Sequence, residues 1–396
     1  MKWSSAVSIA NQLEPAVRQV TEQVLDELQG QPPDLAFVFV SPHHQDRYGD
    51  VPALLGGCLG AKVLLGCSAG GVIGGCHEVE EQPALSLTAA LLPDVRLQPF
   101  HIPDELLPAL ANGAQSWQTM TGVLAEPTPD FVLLPEPFSC RVEDFLQSLD
   151  QAFPASRKVG GLASGAGEAG KNALFLGPEI HRSGLVGLAL SGNITMETVV
   201  AQGCRPIGDP LFVTSAQRNL LRAVDGQPPL HALNALYQSL AARDRELLRH
   251  SLFLGIAMRN ASLEYKQGDF LIRNIIGMDP ESGAIAVSGL LQENSVVQFH
   301  LRDAKTSAED LNALLQRFEY LPPSARPLGA LLFSCLGRGR GLYGRPDHDT
   351  QAFLLQVGNV PLGGFFCNGE IGPVQNTTFL HGYTSAFGLF KPRDIR

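Results

Sequence analysis

The chain has 396 residues, 44% hydrophobic and 17% charged, with 29 basic side chains against 39 acidic ones and a net charge of −10. That length exceeds what one hydrophobic core usually organises and predicts two domains, while the acidic balance excludes a general nucleic-acid binder, which needs a basic face to displace counterions. No apolar run approaches the roughly 18 residues of a membrane helix. The N-terminus reaches Asn11 and Glu14 without a signal-peptide core, so a cytoplasmic protein with no membrane partner is expected.

Residues 14–29 predict a helix with Val17, Val20, Val24 and Leu28 on one stripe and Gly30 at its end. A strand follows at 35–40, then a helix carrying Val51, Leu54, Leu55 and Leu59, then a strand from Lys62 into the glycines after Gly66, and another strand at 84–92. The order then recurs. Residues 131–134 read as a strand, Ser139 as the N-cap of a helix faced by Val142, Phe145, Leu146, Leu149 and Phe153, and Lys158–Ser164 as a glycine-rich strand. Strands at 172–176 and 184–190 complete it. The literal G-x-G-x-x-G at Gly165, Gly167 and Gly170 precedes a strand rather than a helix, so it lacks the context of a dinucleotide loop, and no cofactor is expected.

The turn-rich stretch Asp225–Pro229 reads as a domain boundary. Beyond it come a helical stripe (Leu230, Leu233, Tyr237, Leu240), strands at 252–258, 270–276, 284–287 and 296–301, and a helix opened by a Thr306–Glu309 capping box. Residues 327–390 give a third instance of the pattern: a buried strand ending at Cys335, a loop with Arg338 and Arg340 between glycines, a helix from about Asp347 to Val357 with Asp347 or Asp349 as cap, and a glycine-rich strand. The first strand leads the glycine-rich one by 30 residues from Ala36 to Gly66, 29 from Phe131 to Gly160 and 33 from Ala330 to Gly363. Two readings stand: a degenerate β-α-β-β repeat, or ordinary recurrence of α/β units. The expected fold class is α/β to α+β, with mixed sheets flanked by helices in two domains.

Seven cysteines with no C-x-x-C fit reduced thiols, and the pair His43–His44 lacks a second cluster at ligand spacing, so no metal is expected. The arginines of the 337–341 loop are the sharpest chemical feature, because a planar guanidinium fork matches a carboxylate or phosphate and a glycine backbone can add N–H donors. Glu370 lies in an apolar segment and needs a partner, either an internal arginine or a ligand ammonium. Arg302 and Asp303 form an internal ion pair or line a pocket. Cys335, Cys367 and Ser68 sit at strand ends beside glycines. The enzymatic alternative is a cysteine- or acid/base-dependent hydrolase or transferase using Cys335 or Cys367 with His381, or His348, as base, against buried inert thiols.

Three segments, Cys335 to Arg340, Gly364 to Pro373 and Leu380 to Thr384, together resemble the C-terminal half of the FIST family; Gly66–Gly71 and Phe299–Ala304 also resemble FIST segments. The resemblance implies a helical segment at 1–30, a FIST N-like domain at 31–228 and a FIST C-like domain at 229–396. It implies an intracellular sensor in signal transduction that binds a small molecule, an amino acid or another carboxylate-bearing metabolite. Arg338, Arg340 and loop N–H groups would hold the anion, and Glu370 and Asn368 would orient an amine, with Cys335, Arg302, Asp303, Ser68 and His381 as further candidates. Family members are often joined to kinase, cyclase, chemoreceptor or F-box modules. No segment is expected to remain here for one, so the chain would act through a separate signalling partner or only buffer its ligand. A third reading is an interaction scaffold whose cleft holds a peptide, which a large exposed apolar patch would favour.

Overall fold

The computed structural model describes residues 1–106, 113–259 and 264–393. The chain opens with β1 (Lys2–Ser8), α1 (Leu13–Glu27), β2 (Leu35–Val40), α2 (Val51–Cys58), β3 (Val63–Ser68), the hairpin β4 (Gly71–Gly74) and β5 (His77–Glu80), and β6 (Leu85–Leu91). The same order returns as β7 (Val95–Ile102), α3 (Ala114–Thr121), β8 (Asp130–Pro135), α4 (Val142–Ala152), β9 (Lys158–Gly161), the hairpin β10 (Leu174–Leu176) and β11 (Glu179–His181), and β12 (Leu185–Gly192).

A third copy begins at β13 (Thr195–Ala201) and is interrupted. The inserted elements are β14 (Cys204–Gln217), β15 (Leu220–Val224), α5 (Pro229–Ser239), α6 (Ala242–Ser251), β16 (Leu252–Ala257), β17 (Phe270–Met278), β18 (Ile285–Val287) and β19 (Val296–Arg302). The copy resumes with α7 (Ala304–Leu315), β20 (Gly329–Cys335), α8 (Gly339–Tyr343), α9 (His348–Val357), β21 (Leu362–Cys367), the hairpin β22 (Glu370–Val374) and β23 (Thr377–His381), and β24 (Ser385–Lys391).

Two compact units result. One is drawn from residues 1–200, 312–380 and 384 onward, the other from 201–311 and 381–383. The first holds three six-stranded mixed sheets, ordered β1-β6-β2-β3-β10-β11, β7-β12-β8-β9-β22-β23 and β13-β24-β20-β21-β4-β5. In each, a parallel pair joined through helices is extended on one side by antiparallel strands and on the other by a hairpin from a different copy. The exchange is cyclic: the first copy lends its hairpin to the third, the third to the second, and the second to the first. The repeat is therefore real, and its copies are interlocked.

The sequence shows why these strands lie inside. Every residue of β2 is buried. Leu35, Phe37 and Phe39 enter a core shared with Val132, Leu134, Leu331 and Phe333, while Ala36, Val38 and Val40 meet the apolar stripe of α1. A strand covered on both faces reads as a continuous apolar run instead of an alternation. The recurring glycine has an equally direct cause. A side-chain carbon at Gly66, Gly160 or Gly364 would lie 1.9 Å from the carbonyl oxygen of its parallel partner, Val38, Leu133 or Leu332. The third equivalent is thus Gly364, one residue beyond the glycine expected from spacing.

The second unit is a closed antiparallel barrel in the order β14-β15-β18-β17-β16-β19. Ile207, Val213, Leu221, Leu254, Val297 and Phe299 join its core, with Leu233 of α5 packed against them. The turn at Asp225–Pro229 lies within this unit, between β15 and α5.

Several local expectations need correction. The first 30 residues open with an edge strand, β1, before turning helical. Ser139 does not cap α4: its hydroxyl donates to Glu136, and the helix begins at Val142. Asp303 replaces the Thr306–Glu309 pair as the cap of α7, accepting from Thr306 N at 2.9 Å, whereas Glu309 faces Lys305. The hairpin β4–β5 has no counterpart in the expected elements. No helix among the described residues is long and apolar enough to cross a membrane.

Candidate functional site

The glycine-rich strands of all three copies end against one another in the first unit. Ser164 N donates to Ser68 O at 3.1 Å, Asn368 N donates to Leu162 O at 3.1 Å, and Gly70 N donates to the Ser164 hydroxyl at 2.8 Å. The Ser164 hydroxyl in turn donates to Phe366 O at 2.5 Å. These contacts join the first copy to the second and the second to the third, and the pairing of Phe366 with Gly71 joins the third to the first, so the strand ends close a ring. Side chains of Ser68, Ser164, Asn172 and Glu136 are fully buried there.

Satisfied hydrogen bonding makes that burial tolerable. The Ser68 hydroxyl donates to Asn172 Oδ1 at 3.3 Å and accepts from Ala173 N at 3.0 Å. Asn172 Nδ2 donates to Glu136 Oε1 at 3.1 Å, and the other Glu136 oxygen accepts from Phe138 N at 2.9 Å and the Ser139 hydroxyl at 2.8 Å.

In the third copy, Glu370 is fully buried at the start of β22. Its carboxylate accepts from Thr384 N at 3.0 Å and from the Cys367 thiol at 3.4 Å. Asn368 is exposed, and Cys335 is half-buried at the end of β20. The loop that follows touches the ring: a side-chain carbon at Gly70 would lie 2.4 Å from Leu336 Cδ2.

That loop separates its two arginines. Arg338 is fully buried at the N-cap of α8. Its Nε and Nη2 donate to the two oxygens of Asp349 at 2.8 and 3.1 Å, and Nη2 also reaches the Tyr343 hydroxyl at 2.6 Å. Nη1 has no hydrogen-bond partner among the described residues. Burial alone would lower the guanidinium's pKa, but Asp349 and Tyr343 outweigh it and the net shift is upward. Burial would likewise raise Asp349, but Arg338, His348 and Ser385 hold it well below the usual carboxylate range. Arg340 is exposed, its guanidinium makes no ion pair among the described residues, and its backbone N–H donates to Glu80 Oε1 at 2.8 Å.

Behind this loop stands a second carboxylate. Glu78 on β5 accepts from Thr350 N at 2.8 Å, close to the start of α9, and its other oxygen is buried without a hydrogen-bond partner among the described residues. Burial first, then the negative charge of Asp349, push its carboxyl up to about 8.

The remaining candidates belong to the second unit. Arg302 is buried with its guanidinium 4.8 Å from the centre of the Tyr383 ring. Asp303 caps α7 and faces Arg205 at 3.6 Å and Arg243 at 3.5 Å. His381 is buried and falls in this unit, whereas Cys335 and Cys367 fall in the first. Burial and the neighbouring Glu370 push the Cys367 thiol well above its ordinary range, the opposite of what a thiolate nucleophile needs. No group of residues suited to holding a metal occurs among the described residues.

Sequence reasoning missed Ser164, Asn172, Glu136 and Glu78. Glu136 carried a readable signal, an acidic residue between two prolines at the end of an apolar strand, the same kind of signal that marked Glu370. Asn172 and Glu78 carried none, because their partners are far away in the chain.

Comparison with known proteins places two domain models on the chain, the FIST N domain over residues 34–227 and the FIST C domain over residues 232–373. A Mycobacterium tuberculosis H37Rv protein named only as uncharacterized is 36% identical across 98% of this chain and all of its own length. A Mycobacterium bovis protein, also named uncharacterized, is 35% identical over 95% of each chain. An F-box/LRR-repeat protein of Arabidopsis thaliana is 24% identical over 44% of this chain and 36% of its own. Among solved structures, a cyanuric acid hydrolase from A. caulinodans aligns over 99% of this chain with a TM-score of 0.38 and 9% identity.

Proposed function

Because the chain belongs to the FIST family, whose domains are generally sensory, ligand-binding modules of signal transduction, we propose that it is a receptor for a carboxylate-bearing metabolite, an amino acid or a derivative. The ligand binds beside the ring of strand ends, at the loop 336–341. The observation carrying this reading is the pair of arginines. Arg340 exposes a guanidinium that makes no ion pair among the described residues, although its charge acts on Glu80, and the buried Nη1 of Arg338 has no acceptor among the described residues. A buried guanidinium donor left unmade costs about 1–3 kcal/mol, which a ligand oxygen would recover.

The two arginines then have different tasks. Arg338 is neutralised by Asp349 and fixes the loop, adding its Nη1 as a donor. Arg340 supplies the net positive charge that selects an anion. The exposed Asn368 amide orients the ligand's amine, and Glu370 holds that strand end in place through Thr384 N. We place the protein in the cytoplasm with a separate signalling protein as its output; a chain whose cysteines form no disulfide among the described residues is consistent with that compartment.

The test is a thermal-shift screen of the purified protein against the twenty amino acids and short carboxylates, repeated with Arg340→Ala. At a hundredfold excess over its dissociation constant, a ligand should add about 2.7 kcal/mol of stability. The shift should vanish in Arg340→Ala, whose unliganded melting temperature stays near that of the wild type. Arg338→Ala is unsuitable as the control, since it strands Asp349 in the interior. A well-folded protein that responds to none of these compounds would remove the reading.

A further inference from the structure

The three copies differ at one connection. Between the glycine-rich strand and the following hairpin, only residues 69–70 intervene in the first copy and 368–369 in the third, but the second inserts residues 162–173. This insertion contains the Gly165, Gly167, Gly170 motif that has no role as a dinucleotide loop. It emerges from the ring itself, through Ser164, and returns through Asn172.

Its two ends are tied to the surrounding structure, and its middle is closed by its own turn, in which Lys171 N donates to Glu168 O at 3.4 Å. Ala163 N donates to Pro135 O at 2.9 Å, Ala166 N to Asn172 Oδ1 at 3.2 Å, and Arg182 Nη1 to the carbonyls of Lys171 and Asn172 at 3.1 Å each. Residues 167–171 are exposed, and side-chain carbons at Gly167 and Gly170 would meet nothing within 4 Å. Gly165 and Gly170 bracket the exposed part with φ of +93° and +76°, a backbone region open to glycine and strained for other residues. Gly165 also rests against the first copy's turn, where its added carbon would sit 3.1 Å from Ala69 O. A side-chain carbon at Gly70 of that turn would lie within 4 Å of both Leu336 Cδ2 and Gly165 N. The insertion is thus rooted beside the arginine loop.

We infer that the segment between Gly165 and Gly170 is a lid over the ring and the adjoining loop 336–341, hinged at those two glycines, which closes when the ligand binds. The inference rests on the receptor reading above. A short flap on two glycines is the form a gate takes when the scaffold beneath it is rigid. Here the ring supplies rigidity and the threefold pattern supplies the contrast, since the other two copies manage the same connection with two residues.

Hydrogen-exchange mass spectrometry on the full chain tests it, using an equimolar mixture of the twenty amino acids as the probe, with a thermal shift recorded on the same samples. In the unliganded protein, amides of 167–170 should exchange at least about a hundredfold faster than those of Val159–Gly161, and the probe should slow them about tenfold or more. Gly170→Ala, which strains the hinge without a clash, should change the rate in the lid and reduce the probe's protection; Gly167→Ala should do neither. A thermal shift without protection at 165–171 overturns the lid and leaves the receptor intact. Core-like slow exchange of 167–170 in the unliganded protein also overturns it. Without a thermal shift from the mixture or from the short carboxylates of the screen above, the receptor reading fails and the lid falls with it.

Discussion

Replacing Glu78 by glutamine should stabilise the protein at alkaline pH and leave it nearly unchanged at acid pH. The carboxyl is 5% exposed, lies against the charge of Asp349 and is raised from an ordinary 4.5 to about 8. A folded state that binds a proton more tightly than the unfolded chain is favoured by acid. The contribution of Glu78 is therefore complete below about pH 4.5 and is lost as pH rises toward 8. Each tenfold difference in proton affinity is worth about 1.4 kcal/mol, so the full span corresponds to a ceiling of about 5 kcal/mol. Relaxation of the hairpin and water entry reduce the observable part to about 2–3 kcal/mol. Glutamine resembles the protonated acid, since it keeps the oxygen that accepts from Thr350 N and carries no charge. His300 titrates in the opposite sense, because burial lowers it to about 4 and its contribution grows as pH rises from there to 6.5. The difference between wild type and Glu78→Gln cancels that term. Urea unfolding of both proteins at half-unit steps from pH 5 to 9 gives the difference curve. It should rise with pH and flatten beyond 8. Parallel curves over the whole range would refute the reasoning.

The same scaffold sets the outcome of four further variants. Gly364→Ala should cost more than about 4 kcal/mol or abolish soluble expression, because its side chain meets a backbone carbonyl that cannot move aside, whereas Gly341→Ala in α8, with open space around it, should be neutral or stabilising by up to about 1 kcal/mol in urea titrations. Asp349→Asn should cost about 3–5 kcal/mol at pH 7 by leaving the Arg338 charge uncompensated, and the double change Arg338→Met with Asp349→Leu should recover most of it; a single-mutant cost below about 1 kcal/mol would show that the buried pair does not depend on its charges.

The repeat was legible because its cause is local. A parallel strand pair that crosses at close range needs a glycine, and that requirement writes the same residue into three places at nearly constant spacing. Strands covered on both faces likewise announce themselves as apolar runs. The hairpins β4–β5 and β22–β23 were harder to read, since each is completed by a sheet from a different copy. Gly71–Gly74 has four residues and becomes a strand only against Gly364–Phe366, far along the chain. The site was legible by type and not by role. Arg338 and Arg340 look alike in a glycine-rich loop, and nothing near them in sequence says that Asp349 will claim the first. Their division into a buried anchor and an exposed donor comes from α9 folding back onto the loop.

That division points to how a repeated scaffold acquires one site. If the three copies were equivalent in chemistry as they are in backbone, each strand end would offer the same groups and a ligand would find three equal positions. They do not. Where β2, β8 and β20 run out, the chain places Ser41, Glu136 and Cys335 in turn, and only the third continues into paired arginines. Only the second carries the glycine insertion, and only the third is interrupted by a barrel. The glycines had to stay in all three copies because the backbone requires them, whereas the residues just beyond them were free to diverge. The positions that differ between copies at matched points of the fold are accordingly where ligand recognition should be sought, and the conserved glycines beneath them are scaffold.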